Sequence, residues 1–179
     1  MAYIVLDPGH GGSDPGAVYQ DTKEKELTLL IARKVSEHFK VDKKHSVKMT
    51  RNNDNYLSLE ERVKIANDWG ADYFVSLHHN AGGGHGFESY VYSGNKNTET
   101  KEKQEIVHRS IMSFLQSYEL PDRGMKENNY FVLKNTKMSA ILLENLFLDH
   151  DKDVALLSKN EFITNLSTSI YEGVELSLN

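Results

Sequence analysis

The chain has 179 residues, 39% hydrophobic and 26% charged, with a formal charge of −5 and no apolar run long enough to span a bilayer. This excludes a disordered or membrane-inserted chain, and the scattered basic residues lack the electrostatic footprint of a nucleic-acid binder. With no cysteine there is neither a disulfide framework nor a thiolate site, so any transition metal must be held by carboxylates and by the eight histidines.

The apolar run Tyr3 to Leu6 ends at Asp7-Pro8-Gly9 and predicts a buried strand entering a turn, with His10 at its end. A Gly-rich stretch from Gly11 to Gly16 follows. Leu27, Leu30, Ile31, Val35 and Phe39 then recur at helical spacing, which places Glu24 in the first turn of a helix. Ser46 to Thr50 alternates as a strand, and Ser58 to Glu61 reads as a capping box opening a helix that Gly70 closes. Asp72 to Leu77 is a strand delivering His78-His79-Asn80 ahead of three glycines, and Gly86 to Tyr92 alternates as another.

Further along, Ile106 to Leu115 shows one helical face and is followed by a turn at Pro121 to Gly124. Tyr130 to Leu133 reads as a short strand, and Ala140 to Leu148 as the central one. A second capping box, Ser158 to Glu161, opens the final helix. Alternation of about six strands with helices predicts one α/β domain, a mostly parallel sheet covered on both faces. In such sheets ligands bind beyond the carboxyl ends of the strands; His10, His78 and Glu144 fall in that half of their strands, and Glu24 opens a helix that follows one.

Two His and a carboxylate arriving from separate elements form the ligand set of an open zinc site. Strand alternation puts His78 and His79 on opposite faces, so one of the two reaches a metal, and periodicity does not say which. Glu144 is the anomaly of the central strand, because a buried carboxylate is costly without a partner. Two readings of it stand level: an ion pair with Arg51, Arg62 or Arg123, or a general base that takes a proton from water.

Taken in order, the segments Asp7 to Gly12, Glu24 to Leu29, Thr50-Arg51 with Leu59 to Asn67, Phe74 to Ala81, Gly86 to Tyr92 and Ile141 to Leu148 resemble the amidase-3 family over nearly the whole chain. The resemblance implies a twisted mixed sheet flanked by helices, and N-acetylmuramoyl-L-alanine amidase activity carried by a catalytic domain spanning 1–179. It further implies one zinc ion per chain on His10, Glu24 and His78, with Glu144 as the catalytic glutamate. His79 stands where the family has a small residue. Asp7 is a candidate support for a ligand His or a turn residue, Glu26 a solvated or supporting group, and Asn80 and Arg51 weaker candidates for substrate or loop contacts.

The expected partner is peptidoglycan, met by a monomer on the extracellular side of the bacterial wall, as in autolysins and phage endolysins. No membrane or nucleic-acid partner is expected. The strand-like residues begin at Tyr3, so no signal peptide is expected in this chain, and a separate wall-binding domain is expected to supply affinity. Two alternatives remain: a zinc peptidase cutting within the stem peptide, and a non-catalytic, metal-stabilised wall-binding module.

Overall fold

The computed structural model describes residues 1–94 and 97–179. In chain order the elements are β1 (Tyr3–Pro8), β2 (Val18–Tyr19), β3 (Thr22–Lys23), α1 (Glu24–Asp42), β4 (Ser46–Met49), α2 (Leu59–Trp69), β5 (Tyr73–Asn80), β6 (Phe87–Tyr92), α3 (Thr98–Leu115), β7 (Asp122–Asn128), α4 (Phe131–Asn135), β8 (Ser139–Phe147), α5 (Asp151–Leu157) and α6 (Asn160–Leu176). Six strands form one sheet in the order β4-β1-β5-β8-β6-β7, and β2 and β3 form a separate small ribbon. The first four strands of that order run parallel, while β6 is antiparallel to β8 and β7 parallel to β6. This is the mostly parallel, mixed α/β sheet that the sequence predicts.

Side-chain alternation divides the core. Ile4, Leu6, Tyr73, Val75, Leu77, Ile141 and Leu143 pack with residues of α1, α3 and α6 in the larger cluster. Val5, Phe74, Ala140 and Leu142 face the other way, onto Val63 and Ala66 of α2 and Val132 and Leu133 of α4. Both faces are therefore covered, with the smaller cluster under α2 and α4. The opening of α2 is the expected capping box: the Ser58 side chain accepts from the Glu61 amide and Glu61 reaches back to the Ser58 amide, while Gly70 ends the helix in the left-handed conformation.

Three local expectations are corrected. Tyr130 to Leu133 is not a strand: Phe131–Asn135 form the short helix α4, whose Val132 and Leu133 bury against the sheet. Asp122 to Gly124 does not close a turn but opens the edge strand β7, whose residues are mostly exposed and so carry no apolar alternation. The last helix is not opened by a capping box, since Lys159 is its N-cap without a side-chain bond and Ser158 Oγ donates back to the Ala155 carbonyl.

The pairing of β5 with β8 is irregular at one point. His78 pairs with Glu144 and Asn80 with Phe147, so β8 carries one more residue than β5 between those pairs. The extra residue is absorbed at Leu146, whose φ of 71° lies in the left-handed region that an apolar residue without a β-branch still occupies at a cost. The bulge returns Leu146 and Leu148 to the larger core and leaves Glu144 directly beside His78.

Candidate active site

β1 and β5 end side by side, with Pro8 opposite Leu77, and the chain leaves β1 through Gly9 to His10. His10 has a φ of 60°, and the Gly-rich turn then swings back so that Gly16 and Ala17 meet the first turn of α1. Two glycines are dictated by contact. A Cβ on Gly9 would lie 2.3 Å from the His78 ring, and one on Gly16, whose φ is +66°, would lie 2.6 Å from Glu24 Oε2.

The turn brings His10, Glu24 and His78 together. His10 Nε2 lies 3.0 Å from Glu24 Oε2, and His78 Nδ1 lies 3.0 Å from Glu24 Oε1. The two imidazoles meet edge to face at 4.9 Å between centroids. The Glu24 carboxylate is oriented by the chain itself: Ala17 N–H donates to Oε2 and His79 N–H to Oε1, each at 2.9 Å. Burial alone would raise this carboxyl, but the hydrogen bonds and charge of His10 and His78 hold it far below the usual carboxylate range.

Asp14 completes the cluster in a way the sequence reading missed. Its Oδ2 lies 2.8 Å from His10 Nδ1, so the His10 ring is held between two carboxylates, Asp14 on Nδ1 and Glu24 on Nε2, and although burial alone would lower its pKa, both raise it. A His four residues before an Asp within a Gly-rich turn was the available signal. Asp7, a candidate for that role, is used elsewhere. It accepts from Arg62 Nη1 at 2.8 Å, from Thr50 at 2.7 Å and from Ser76 at 2.8 Å.

His79 is buried on the opposite face, with Nδ1 hydrogen bonded to the Asn145 carbonyl. Burial pushes its pKa down to about 4, so it is a neutral core ring. Of the weaker candidates, Arg51 binds the carbonyls of Pro8, Gly9, Asn53 and Lys25 and so holds the His10 turn, Asn80 donates to Glu88, and Glu26 is exposed near Lys23.

Glu144 projects from β8 on the same face as Leu142, beside His78. None of the three candidate arginines pairs with it: Arg62 is bound to Asp7, Arg51 to backbone carbonyls, and Arg123 to Glu88. Its Oε2 is shielded from solvent and has no hydrogen-bond partner among the described residues. Burial, reinforced by the nearby charges of Glu24 and Glu88 and opposed by the histidines, pushes its pKa up to about 7.

His10, His78 and Glu144 line a cleft of about 370 Å³ together with Tyr56, Leu57, Leu59, Tyr130, Phe131 and Val132. The start of α4 is thus a wall of the cleft. An apolar wall facing a few convergent polar groups is the usual make-up of a small-molecule or polymer-binding site. With a half-buried carboxyl raised to about 7 among its lining residues, the cleft is suited to acid–base chemistry.

The same architecture occurs in known proteins. The family model described as N-acetylmuramoyl-L-alanine amidase matches residues 4–176. The chain is 40% identical over 184 residues to a sporulation-specific N-acetylmuramoyl-L-alanine amidase of Bacillus subtilis, covering all of this chain and 69% of that protein. It is also 40% identical to an endolysin of Bacillus phage SPP1, over 98% of this chain and 66% of that one. Among solved structures, an N-acetylmuramoyl-L-alanine amidase from Clostridium difficile 630 superposes with a TM-score of 0.93 at 31% identity, covering 99% of this chain and 96% of that one. The chain belongs to the amidase-3 family of N-acetylmuramoyl-L-alanine amidases.

Proposed function

We propose that residues 1–179 act as a catalytic domain that hydrolyses the amide between the lactyl group of N-acetylmuramic acid and L-alanine in peptidoglycan. In this reading His10, Glu24 and His78 hold one zinc ion and Glu144 is the general base. The observation that carries it is the partnerless carboxyl oxygen of Glu144 next to the His10–Glu24–His78 cluster. A non-catalytic wall-binding module has no use for a carboxyl oxygen shielded from solvent and left without a partner in a cleft.

The donor set fits zinc. Each histidine nitrogen lies 3.0 Å from one of the two Glu24 oxygens, and the three residues bring donor atoms of the types that zinc takes within 4.8 Å of one another. Two imidazole nitrogens and one carboxylate leave a fourth position for water or substrate, and the Asp14–His10 bond supplies the hydrogen bond by which such ligands are oriented. When bound, zinc supplies Lewis-acid polarisation of the scissile carbonyl and makes water at the site more acidic.

The chain's own residues do the rest. Glu144 accepts a proton from the attacking water and returns it to the departing alanine nitrogen, a role open to its Oε2, which no other group of the described residues occupies. Tyr56, Leu57, Tyr130 and Phe131 wall the cleft and exclude bulk water around the scissile bond. Arg62, bound to the Pro8 and His10 carbonyls as well as to Asp7, keeps the His10 turn in place.

The wall outside the bacterial cell is the place of action in this reading, and a monomer suffices because every proposed site residue comes from one chain. The sporulation amidase and the phage endolysin are both longer than the matched chain, which supports a wall-binding domain working beside this one. Among the described residues no helix is long and apolar enough to cross a membrane.

The test is product analysis on purified peptidoglycan. Digestion is expected to expose new amino-terminal L-alanine while glycan strands stay intact. New amino termini at another stem residue would move the chain to the peptidases. New reducing sugars would mean glycan cleavage, which ordinarily uses a pair of carboxyl groups.

A further inference from the structure

A second cluster of metal-type donors lies outside the cleft. The β5–β6 connection carries His85 just after Gly82, Gly83 and Gly84, the turn after β8 carries His150, and Asp153 sits within α5. The three residues bring their donor atoms within 4.8 Å of one another.

Asp153 is fully buried. Its Oδ2 accepts from Gly86 N–H at 3.1 Å and Phe147 N–H at 2.9 Å, which fixes the carboxylate plane. Its Oδ1 faces both imidazoles: His85 Nδ1 is hydrogen bonded to it, and His150 Nδ1 lies 3.5 Å away. The rings stack at 4.1 Å between centroids with planes 19° apart.

As a purely hydrogen-bonded cluster this arrangement is incomplete. A buried carboxylate requires compensating charge, and among the described residues the ion-pair partners of Asp153 are these two histidines, with no Lys or Arg. Bonding both rings to one oxygen does not succeed either, because His150 Nδ1 is shielded from solvent and has no hydrogen-bond partner among the described residues. A divalent cation resolves both deficits at once. It neutralises the carboxylate and takes the lone pair of the orphaned nitrogen. Two imidazole nitrogens with a single carboxylate oxygen favour zinc over magnesium or calcium, which take oxygen donors.

We propose that His85, His150 and Asp153 form a second zinc site, sharing no residue with the cleft, that pins the glycine-rich β5–β6 connection to the corner between β8 and α5. Asp149 works alongside it, with Oδ2 accepting from Gly82 N–H and Gly83 N–H at 2.7 Å each. Gly82 and Gly83 have positive φ and nothing within 4 Å of a Cβ position, so this part of the connection is held through its backbone hydrogen bonds to Asp149. The ion would add a second point of attachment at His85. The expectation of one zinc per chain rests on the cleft ligands and the absence of cysteine alone, and with this cluster it becomes two.

The test is zinc stoichiometry. In a His10→Ala/Glu24→Gln chain, which disables the cleft cluster, metal analysis after equilibration with zinc and desalting is expected to find one zinc per chain. Adding His85→Ala should bring that to background. Zinc at a hundredfold excess over Kd should raise the Tm of the double variant by about 5 °C or more, and should not do so once His85 is changed. Should the double variant not fold, titrating the intact chain against a chromophoric zinc chelator is expected to give two equivalents, and His150→Ala one. A single equivalent in the intact chain, no zinc in the folded double variant, or a content unchanged by His85→Ala or His150→Ala would overturn the proposal.

Discussion

Two carboxyls on the same face of the sheet, Asp7 at the end of β1 and Glu144 in β8, sit in opposite electrostatic conditions. Asp7 has a guanidinium and two hydroxyls within 2.8 Å, and although burial alone would raise it, those partners hold its carboxyl below the usual range. Glu144 has an unpartnered oxygen and is pushed up to about 7. Both carboxyls hold oxygen atoms shielded from solvent, so shielding alone does not set them apart. Hydrogen bonding does: the paired group secures the turn that carries His10, and the other keeps an oxygen without a partner, the condition that the proposed proton transfer requires.

The largest effect that would sharpen this contrast is expected at the paired carboxyl. Arg62→Ala strands Asp7 without its counter-charge and should cost about 3–5 kcal/mol of stability, the usual penalty for half of a buried pair. Urea unfolding measures it, and a loss below about 1 kcal/mol would break the comparison. Glu144→Gln should behave in the opposite manner. It is expected to lower hydrolysis at least about a hundredfold while leaving the fold and the zinc content unchanged. Retained activity with a lowered Tm would return Glu144 to the structural class.

Asp14→Asn tests the support of the cleft cluster and should weaken zinc about 10–100-fold, read by chelator competition. Within the His pair, His78→Ala is expected to lose the cleft zinc, whereas His79→Ala should keep it and lose stability by emptying a core position. The reverse order would exchange their roles.

The smallest effects are in pH dependence, and the two carboxyls should differ in sign. Asp7 is depressed in the folded state, so its contribution is present above the unfolded value of 3.8 and is lost as pH falls below it. Glu144 is raised, so the zinc-free folded chain holds an extra proton between the ordinary value of 4.5 and about 7, and loses stability as pH rises through that window. Denaturation of the zinc-free chain and its Glu144→Gln variant should therefore diverge between about pH 5 and pH 8, with the variant the more stable at the upper end. Parallel curves would mean that Glu144 is not desolvated.

Much of the molecule is legible in the chain because the signals are local. The runs at Tyr3–Leu6 and Ala140–Leu148, the 3.6-residue spacing in α1 and the Ser58–Glu61 capping box each depend on residues a few positions apart, and they recover the parallel core of the sheet. His10, Glu24 and the His78-His79 pair fall where strands end or a helix begins, and the choice of His78 from that pair came from the family resemblance. The edge strand β7 and the helix α4 escape because their character comes from what they lie against. β7 is exposed and carries no apolar alternation, and the Val132–Leu133 pair is too short to distinguish a helical period from a strand period.

Partnership was decided only in three dimensions. The chain contains three arginines able to neutralise Glu144, and their assignment to Asp7, to the carbonyls around Gly9 and to Glu88 rests on contacts between residues dozens of positions apart. The extra residue at Leu146, which follows the His78–Glu144 pair and returns Leu146 and Leu148 to the larger core, has no sequence mark either, since nothing in a Leu before a Phe announces a positive φ. Composition and periodicity thus determined the α/β layering and the residue types available at the strand ends. Which buried charges are satisfied, and which are left to do chemistry, followed from sheet register and packing, because electrostatic compensation depends on distance in space and not on separation along the chain.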